Sequence, residues 1–210
     1  MTHPAVTEAG ATASDEEPIR LAVITGSVRE GRFGPTVATW FTEQAAGHDD
    51  VAVQVVDLRE YPLPLVMPAP GHAPPAGAAR VQRSLAGRLA EADAFVVVTP
   101  EYNHAAPAAL KNAIDWFREE WAAKPVGFVS YGGLSGGLRA VEHLRQIFAE
   151  LHAVSVRDAV SFHNAWDRFD EQGRPLSPQD CEGAAKVLLD QLTWWGRALR
   201  RARVERPYGT

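Results

Sequence analysis

A glycine-containing loop near the start of the chain has the residue types that bind a phosphate group. It covers residues 26–36, after the apolar segment 19–25 and before apolar residues at helical spacing. Backbone N–H groups at a helix N-terminus attract anions, and polar side chains in the loop could add hydrogen bonds and charge. These side chains are Ser27, Thr36, Arg29 and Arg32. Taken alone, the loop also fits a solvated turn whose arginines face water.

Two further loops carry residues that could border a flat ring. Residues 100–116 read PEYNHAAPAALKNAIDW, residues 131–137 read YGGLSGG, and each stretch follows an apolar strand pattern. Glycines let the backbone approach a ring closely. The first loop has neither the Gly-Lys-Ser/Thr ending of a Walker loop nor the Gly-x-Gly-x-x-Gly dinucleotide pattern, which favours a monophosphate ligand.

Residues 100–116 resemble the P-E-Y-N-x-x-x-P-x-x-L-K-N-A-I-D-W signature of the NADPH-dependent FMN reductase family, which includes azo, quinone and chromate reductases. The Gly26-Ser27-Val28-Arg29 loop and the glycine loop after the fourth strand are similar to that family too, and the resemblance covers residues 19–200. It implies that FMN is bound by Ser27, Arg29, Arg32, Phe33, Gly34, Pro35 and Thr36 at its phosphate, and by Pro100, Glu101, Tyr102, Asn103, Tyr131, Gly132 and Gly133 around its ring. Related loops often carry a small hydroxyl residue and Asn where this chain has Arg32 and Gly34.

The resemblance implies an oxidoreductase in which electrons pass from NADPH or NADH through bound FMN to a small acceptor. The acceptor could be a quinone, an azo compound, a metal oxyanion or free flavin, and the flavin supplies the chemistry, so no catalytic side chain is expected. A flavodoxin-like electron carrier or redox sensor without nicotinamide turnover is the alternative. A nucleotide hydrolase is disfavoured because the Walker lysine is missing.

The elements that position these loops alternate between strand and helix patterns. Residues 95–98 are apolar throughout, which is typical of a central parallel strand, whereas residues 51–55 alternate as an edge strand does. A short fifth strand is predicted at residues 153–156. Five such strands with right-handed crossovers predict an α/β, flavodoxin-like, three-layer doubly wound parallel sheet of order 2-1-3-4-5, with a ligand crevice at its carboxyl edge.

The chain is expected to form a single domain over residues 19–204. Residues 1–18 lack periodicity and are predicted to be a disordered N-terminal tail. Residues 59–77 contain six prolines and predict a long surface loop.

Composition narrows the partners and the compartment. The formal net charge of -5 gives no bulk basic excess for nucleic acid, and no apolar run or leader pattern indicates a membrane segment. The single cysteine, Cys181, excludes an intramolecular disulfide and has no metal-site spacing around it, so no metal is expected. These features predict a cytoplasmic protein.

Several residues near the motifs stay open to two interpretations. Asp115 and Trp116 could pack internally or contact another subunit, and His104 could touch substrate or only solvent. The segment His163, Asn164 and Trp166 could form a subunit contact, part of a neighbouring pocket or a plain capping loop. The family resemblance implies a homodimer or homotetramer, for which six tryptophans offer contact surface.

Overall fold

A computed structural model describes residues 17–69 and 71–209. The strands within them are β1 (Ile19–Thr25), β2 (Val51–Asp57), β3 (Ala94–Pro100), β4 (Pro125–Gly132) and β5 (Val154–His163). The helices are α1 (Gly34–Ala46), α2 (Ala76–Glu91), α3 (Ala108–Asp115), α4 (Leu138–Glu150) and α5 (Pro178–Glu205). Two short 3-10 turns cover Leu58–Glu60 and Ala165–Asp167.

The strands form a single parallel sheet in the order β2-β1-β3-β4-β5. The predicted fold class and strand order are therefore confirmed. Apolar side chains on both faces explain the central position of β1: Leu21 and Val23 face one hydrophobic cluster, and Ala22 and Ile24 face the other. Strand β2 lies at the sheet edge, as its alternating pattern predicts.

Helices cover both faces of the sheet and complete the three layers. One core cluster contains side chains of α1 and α5, such as Trp40 and Leu188, and the opposite cluster contains side chains of α2, α3 and α4, such as Leu89 and Phe148. Burial of this apolar surface, at roughly 25 cal/mol per Å², is the main force that holds the layers together. Because every crossover returns the chain to a parallel strand, the carboxyl ends of the strands share one edge.

Strand β5 is longer than the predicted residues 153–156. Pairing with β4 is interrupted by a register shift between Val126 and Phe128, and it resumes at Ala159, opposite Phe128, beyond the polar pair Arg157 and Asp158. The polar pair interrupts the apolar sequence, so the pattern ends there although the strand continues. A register shift of this kind depends on the neighbouring strand and cannot be recognised in β5 alone.

The proline-containing loop is anchored on α3. Between the 3-10 turn and Ala76 the described residues form no helix or strand. The Asn112 Nδ2 donates to the Leu63 carbonyl at 3.1 Å, and the Trp116 indole donates to the Pro64 carbonyl at 3.1 Å. Trp116 is buried and therefore packs internally, while Asp115 pairs with Lys111 on the exposed face.

The predicted disordered tail falls largely outside the described residues. Its last two residues are described, and their carbonyl groups accept hydrogen bonds from Arg200, at 2.8 Å for Glu17 and 3.2 Å for Pro18. The predicted domain end at residue 204 lies within the last turn of α5.

Candidate functional site

The loops after β1, β3 and β4 meet at the carboxyl edge of the sheet and enclose an open cleft. Its volume is about 390 Å³, which is in the range of small-molecule sites. Its lining includes many of the residues that the sequence predicts for the cofactor. These are Arg29, Arg32, Phe33, Pro100, Glu101, Tyr102, Tyr131, Gly132 and Gly133. Glu30, Gly31 and Trp166 also line it.

The remaining predicted residues lie beside the cleft. Ser27 is fully buried beneath the first loop, and Gly34, Pro35 and Thr36 form the first turn of α1. Asn103 lies in an exposed turn with a left-handed backbone, φ 49°, next to His104 at φ 76°. The turn is closed by the Tyr102–Ala105 bridge, and Asn103 is not among the residues that line the cleft.

The first loop presents an uncapped helix terminus. Phe33 occupies the cap position of α1 and makes no side-chain hydrogen bond there. Pro35 has no N–H and the Thr36 N–H donates to the Phe33 carbonyl at 3.1 Å, so Gly34 is the residue of this turn whose N–H can meet an anion. Arg29 is exposed and forms no ion pair within residues 17–69 and 71–209, so its charge is available at this end of the cleft.

Arg32 is held differently from its neighbour Arg29. The two terminal guanidinium nitrogens donate to the carboxylate of Asp57 at the end of β2, with Nη1 at 2.7 Å from Oδ1. Nη1 also donates to the Ser27 carbonyl. The hydrogen bonds that the guanidinium donates to Asp57 raise the pKa of Arg32. Its charge is compensated before any ligand arrives, so Arg32 braces the loop against β2. Sequence reasoning missed Asp57, although a carboxylate directly after a strand at this edge was a usable signal.

A hydroxyl pair links the first two loops. The Ser27 and Tyr102 hydroxyl oxygens are 2.7 Å apart, and the Arg29 backbone N–H points at the same Ser27 oxygen from 3.4 Å. Tyr131 reaches under the first loop from β4, where its hydroxyl is buried without a hydrogen-bond partner among the described residues. A Cβ atom at Gly34 would lie 2.7 Å from that hydroxyl. The tyrosine therefore explains why residue 34 is glycine.

Burial controls the ionisation of Tyr131. It raises the pKa of the phenol well above its usual value, and the neighbouring Tyr102 raises it further, while Arg32 and Ser27 act in the opposite direction. The phenol stays neutral at physiological pH and can serve only as a neutral hydrogen-bonding group.

Glu101 serves as a structural tie between β3 and α4. Its carboxylate accepts hydrogen bonds from Ser135 Oγ at 2.7 Å and from the Arg139 Nε at 2.5 Å. Burial raises the pKa of Glu101, but the hydrogen bonds from Arg139 and Ser135 outweigh that effect, and the net pKa lies below its usual range. An ionised, fully engaged carboxylate is poorly placed to accept a proton from a substrate.

Glycines form the opposite wall of the cleft. Gly136 and Gly137 have left-handed backbones, φ 60° and 87°, and a Cβ on either would overlap Ser161 or Ser130. These contacts hold the loop so that Gly132 and Gly133 present bare backbone to the cleft. The indole of Trp166 lies beside Gly133 and lines the cleft.

Outside the cleft, the other candidates are structural. Cys181 is buried, its thiol donates to the Pro178 carbonyl at 3.2 Å, and burial raises its pKa. His104 is exposed, with its ring 5.8 Å from that of His143. No group of three or more metal-ligating side chains occurs in the part of the chain that is described. Among the described helices, none is both long and apolar enough to cross a bilayer.

The fold and the cleft together define a flavodoxin-like class of protein, and comparisons with known proteins identify the family. The model of the NADPH-dependent FMN reductases matches residues 19–167. A quinone reductase of Escherichia coli is 30% identical over 197 residues, which cover 90% of this chain and 99% of that protein. An NADPH:quinone oxidoreductase of Arabidopsis thaliana is 32% identical over 183 residues, covering 81% and 89%.

An NAD(P)H-dependent FMN reductase of Schizosaccharomyces pombe is 41% identical over 122 residues, which cover 56% of this chain and 60% of that protein. Among solved structures, the flavoenzyme NAD(P)H:(acceptor) oxidoreductase of Paracoccus denitrificans superposes with a TM-score of 0.65 at 21% identity, covering 86% of this chain and 98% of the other. The chain belongs to the NADPH-dependent FMN reductase family. It is an oxidoreductase with FMN as cofactor and NAD(P)H as co-substrate, as the sequence predicts.

The residues of the cleft fit FMN. The uncapped terminus of α1 and the unpaired Arg29 suit a phosphate, and the bare backbone of Gly132 and Gly133 leaves room for a flat ring. The cleft thus combines a cationic side chain for a phosphate with bare backbone and aromatic side chains for a ring, the two kinds of surface that FMN requires.

Proposed function

We infer that this protein reduces quinones, taking electrons from NAD(P)H through FMN bound in the cleft. The observation that carries this proposal is the lining of the cleft, which combines the cation Arg29 of the first loop with glycine backbone and the aromatic rings of Tyr102, Tyr131 and Trp166. The names of the Escherichia coli and Arabidopsis relatives support the choice of a quinone. In the overall reaction, NADPH, a quinone and one proton give NADP⁺ and a hydroquinone.

The proposed phosphate site uses the backbone of the first loop together with Ser27, Arg29 and Thr36. Arg32 contributes through its brace on Asp57 and by its field, rather than as an independent cation. The proposed ring site uses Pro100–Asn103 and Tyr131–Gly133. When bound, FMN supplies the chemistry of hydride acceptance and electron transfer.

The chain's own residues bind and orient the reactants. Loop N–H groups that face a reduced ring stabilise its negative charge. Glu101 is occupied by Arg139 and Ser135, so its carboxylate is not available as a base. The rate of the reaction therefore depends on how well the cleft orients first NAD(P)H and then the quinone.

A panel of acceptors tests this function. The FMN-loaded protein should oxidise NADPH fastest with a naphthoquinone such as menadione, and more slowly with an azo dye, chromate or free FMN. If the protein instead reduces chromate or free flavin fastest, that compound and not the quinone is its acceptor. NADPH that fails to bleach the flavin in an anaerobic stopped-flow experiment would instead favour the electron-carrier alternative.

The proposal includes a homodimer or homotetramer. Large apolar side chains are exposed away from the cleft, among them Leu65, Val66, Leu176 and Val204. Exposed apolar surface of this kind is typical of subunit contacts. Light scattering on a size-exclusion column should give a mass of two or four chains, and a monomer at micromolar concentration would contradict this part of the proposal.

We also propose a cytoplasmic location. The single thiol, Cys181, is free and buried, which suits a reducing compartment. Fractionation of cells that express the protein, followed by immunodetection, tests it.

A further inference from the structure

Trp166 is a large aromatic side chain at the mouth of the cleft that the cofactor assignment does not use. It lines the cleft beside Gly132 and Gly133, yet 61% of the residue is exposed to solvent. Leu134, which directly follows Gly133 in the glycine loop, is 91% exposed. An apolar rim of this size at a ligand site is a candidate contact for a substrate.

The backbone fixes the position of this indole although its ring is exposed. Asn164 takes a left-handed conformation, φ 48°, and its N–H donates to the Gly133 carbonyl at 3.0 Å. His163 Nδ1 donates to the Leu134 carbonyl at 2.9 Å, and Ala165 is fully buried. The turn that carries Trp166 is therefore fastened directly to the glycine loop.

The edge of the Trp166 indole lies beside the backbone of the glycine loop. A Cβ atom at Gly133 would lie 3.7 Å from the Cη2 atom of Trp166, so the indole edge meets backbone where other residues would place a side chain. The indole N–H has no hydrogen-bond partner within the described residues. The indole face therefore offers a surface on which a flat ring stacks, and the N–H in the plane of the indole is available to a separate acceptor at its edge.

The charged residues that line the cleft belong to the first two loops, and Trp166 to neither. They are Arg29, Glu30, Arg32 and Glu101, of which Glu101 is paired with Arg139. The end at Trp166 offers apolar surface and an uncharged donor. That combination suits an uncharged planar molecule with carbonyl groups.

From these contacts we propose that Trp166 is a specificity-determining residue that binds the planar ring of the quinone acceptor. The proposal rests on the function inferred above and names the contact that selects for a flat acceptor. Acceptors that lack a planar ring do not use this contact.

The test compares Trp166→Ala, Trp166→Phe and the control Trp194→Ala in the FMN-loaded protein. Trp194 is 64% exposed on α5 and lies outside the cleft lining, so its replacement removes a similar exposed ring. Stopped-flow measurements give the rate constant for oxidation of the reduced protein by menadione and by ferricyanide, and the rate constant for its reduction by NADPH. Flavin affinity and subunit mass are measured for every variant.

The loss of one stacking partner should lower the menadione rate constant of Trp166→Ala about tenfold, and Trp166→Phe should keep most of it. The ferricyanide rate constant, the flavin affinity and the Trp194→Ala protein should match wild type. Equal losses with menadione and ferricyanide, a loss confined to NADPH, or a changed subunit mass would each overturn the proposal. Wild-type protein that does not reduce menadione would instead remove the proposed function itself.

Discussion

At the scale of single residues, the two arginines of the first loop have different roles despite their identical chemistry. Arg29 is exposed and unpaired within the described part of the chain, whereas Arg32 is held by Asp57 and the Ser27 carbonyl. A guanidinium held by two acceptors has a fixed orientation and a compensated charge. Arg32 therefore rigidifies the loop, and Arg29 provides the free charge for an anion.

The contact between Gly34 and the Tyr131 hydroxyl makes a prediction at the same scale. Gly34→Ala should lower the free energy of unfolding by about 1–3 kcal/mol, because the new methyl group overlaps the phenol oxygen. Adding Tyr131→Phe should restore most of the loss, since it removes that oxygen. Urea denaturation of the single and double variants measures both effects.

Gly87→Ala is the matched control, because no atom lies within 4 Å of a Cβ at that helical position. It should stabilise α2 by about 0.5–1 kcal/mol. A Gly34→Ala protein as stable as wild type would show that the tyrosine moves aside without cost.

At the scale of elements, a buried charge cluster joins the amino-terminal edge of the sheet, opposite the cleft. Asp93, at the start of β3, is 1% exposed and pairs with Arg20 of β1 and with Arg200 and Arg203 of α5. Lys124, at the start of β4, donates to the Leu89 and Ala90 carbonyls at the end of α2. Three strands, α5 and the C-terminal end of α2 thus meet in this cluster.

Lys124 predicts a pH dependence of stability. Burial, together with the nearby Arg203 and Arg20, lowers its pKa from 10.5 to about 8, against the opposing effect of Asp93 and Glu120. Between pH 8 and 10.5 the unfolded chain holds a proton that the folded chain has lost. The contribution of Lys124 to stability therefore rises with pH in this window, by at most about 1.4 kcal/mol per pH unit.

The measurement is the free energy of unfolding from pH 7.5 to 10.5 for wild type and Lys124→Met. The slope against pH should be smaller in the variant, because the titrating group is gone. Lys111→Met is the control, since Lys111 is exposed and paired only with Asp115 on its own helix. Identical slopes in wild type and Lys124→Met would show that the buried lysine keeps an ordinary pKa.

At the scale of the whole molecule, the cleft links three strands that are far apart in sequence, so its ligand should stabilise the entire domain. FMN at 100 times its Kd should add about 2.7 kcal/mol to the free energy of unfolding and raise the Tm by about 5–10 °C. Riboflavin, which lacks the phosphate, should raise the Tm less at equal concentration. Differential scanning fluorimetry measures both shifts.

Arg29→Gln separates the two ends of the cleft in that experiment. It should reduce the shift caused by FMN and leave the shift caused by riboflavin unchanged, because it removes a charge from the phosphate end only. Arg83→Gln, at an exposed position on α2, should behave as wild type. Equal losses for both ligands would place Arg29 near the ring.

The sequence by itself determined the parallel sheet, its strand order and the loops that form the cleft, because apolar runs, helical spacing and glycine positions are local properties of the chain. It also determined the family, through residues 100–116 and the two glycine loops. The extent of β5 was underestimated, because a register shift depends on the neighbouring strand.

Only the tertiary structure decided that Arg32 pairs with Asp57, that Tyr131 requires Gly34, and that Trp166 stands over Gly133. Each of these contacts joins residues from different loops or strands, and a distance in space cannot be read from spacing along the chain.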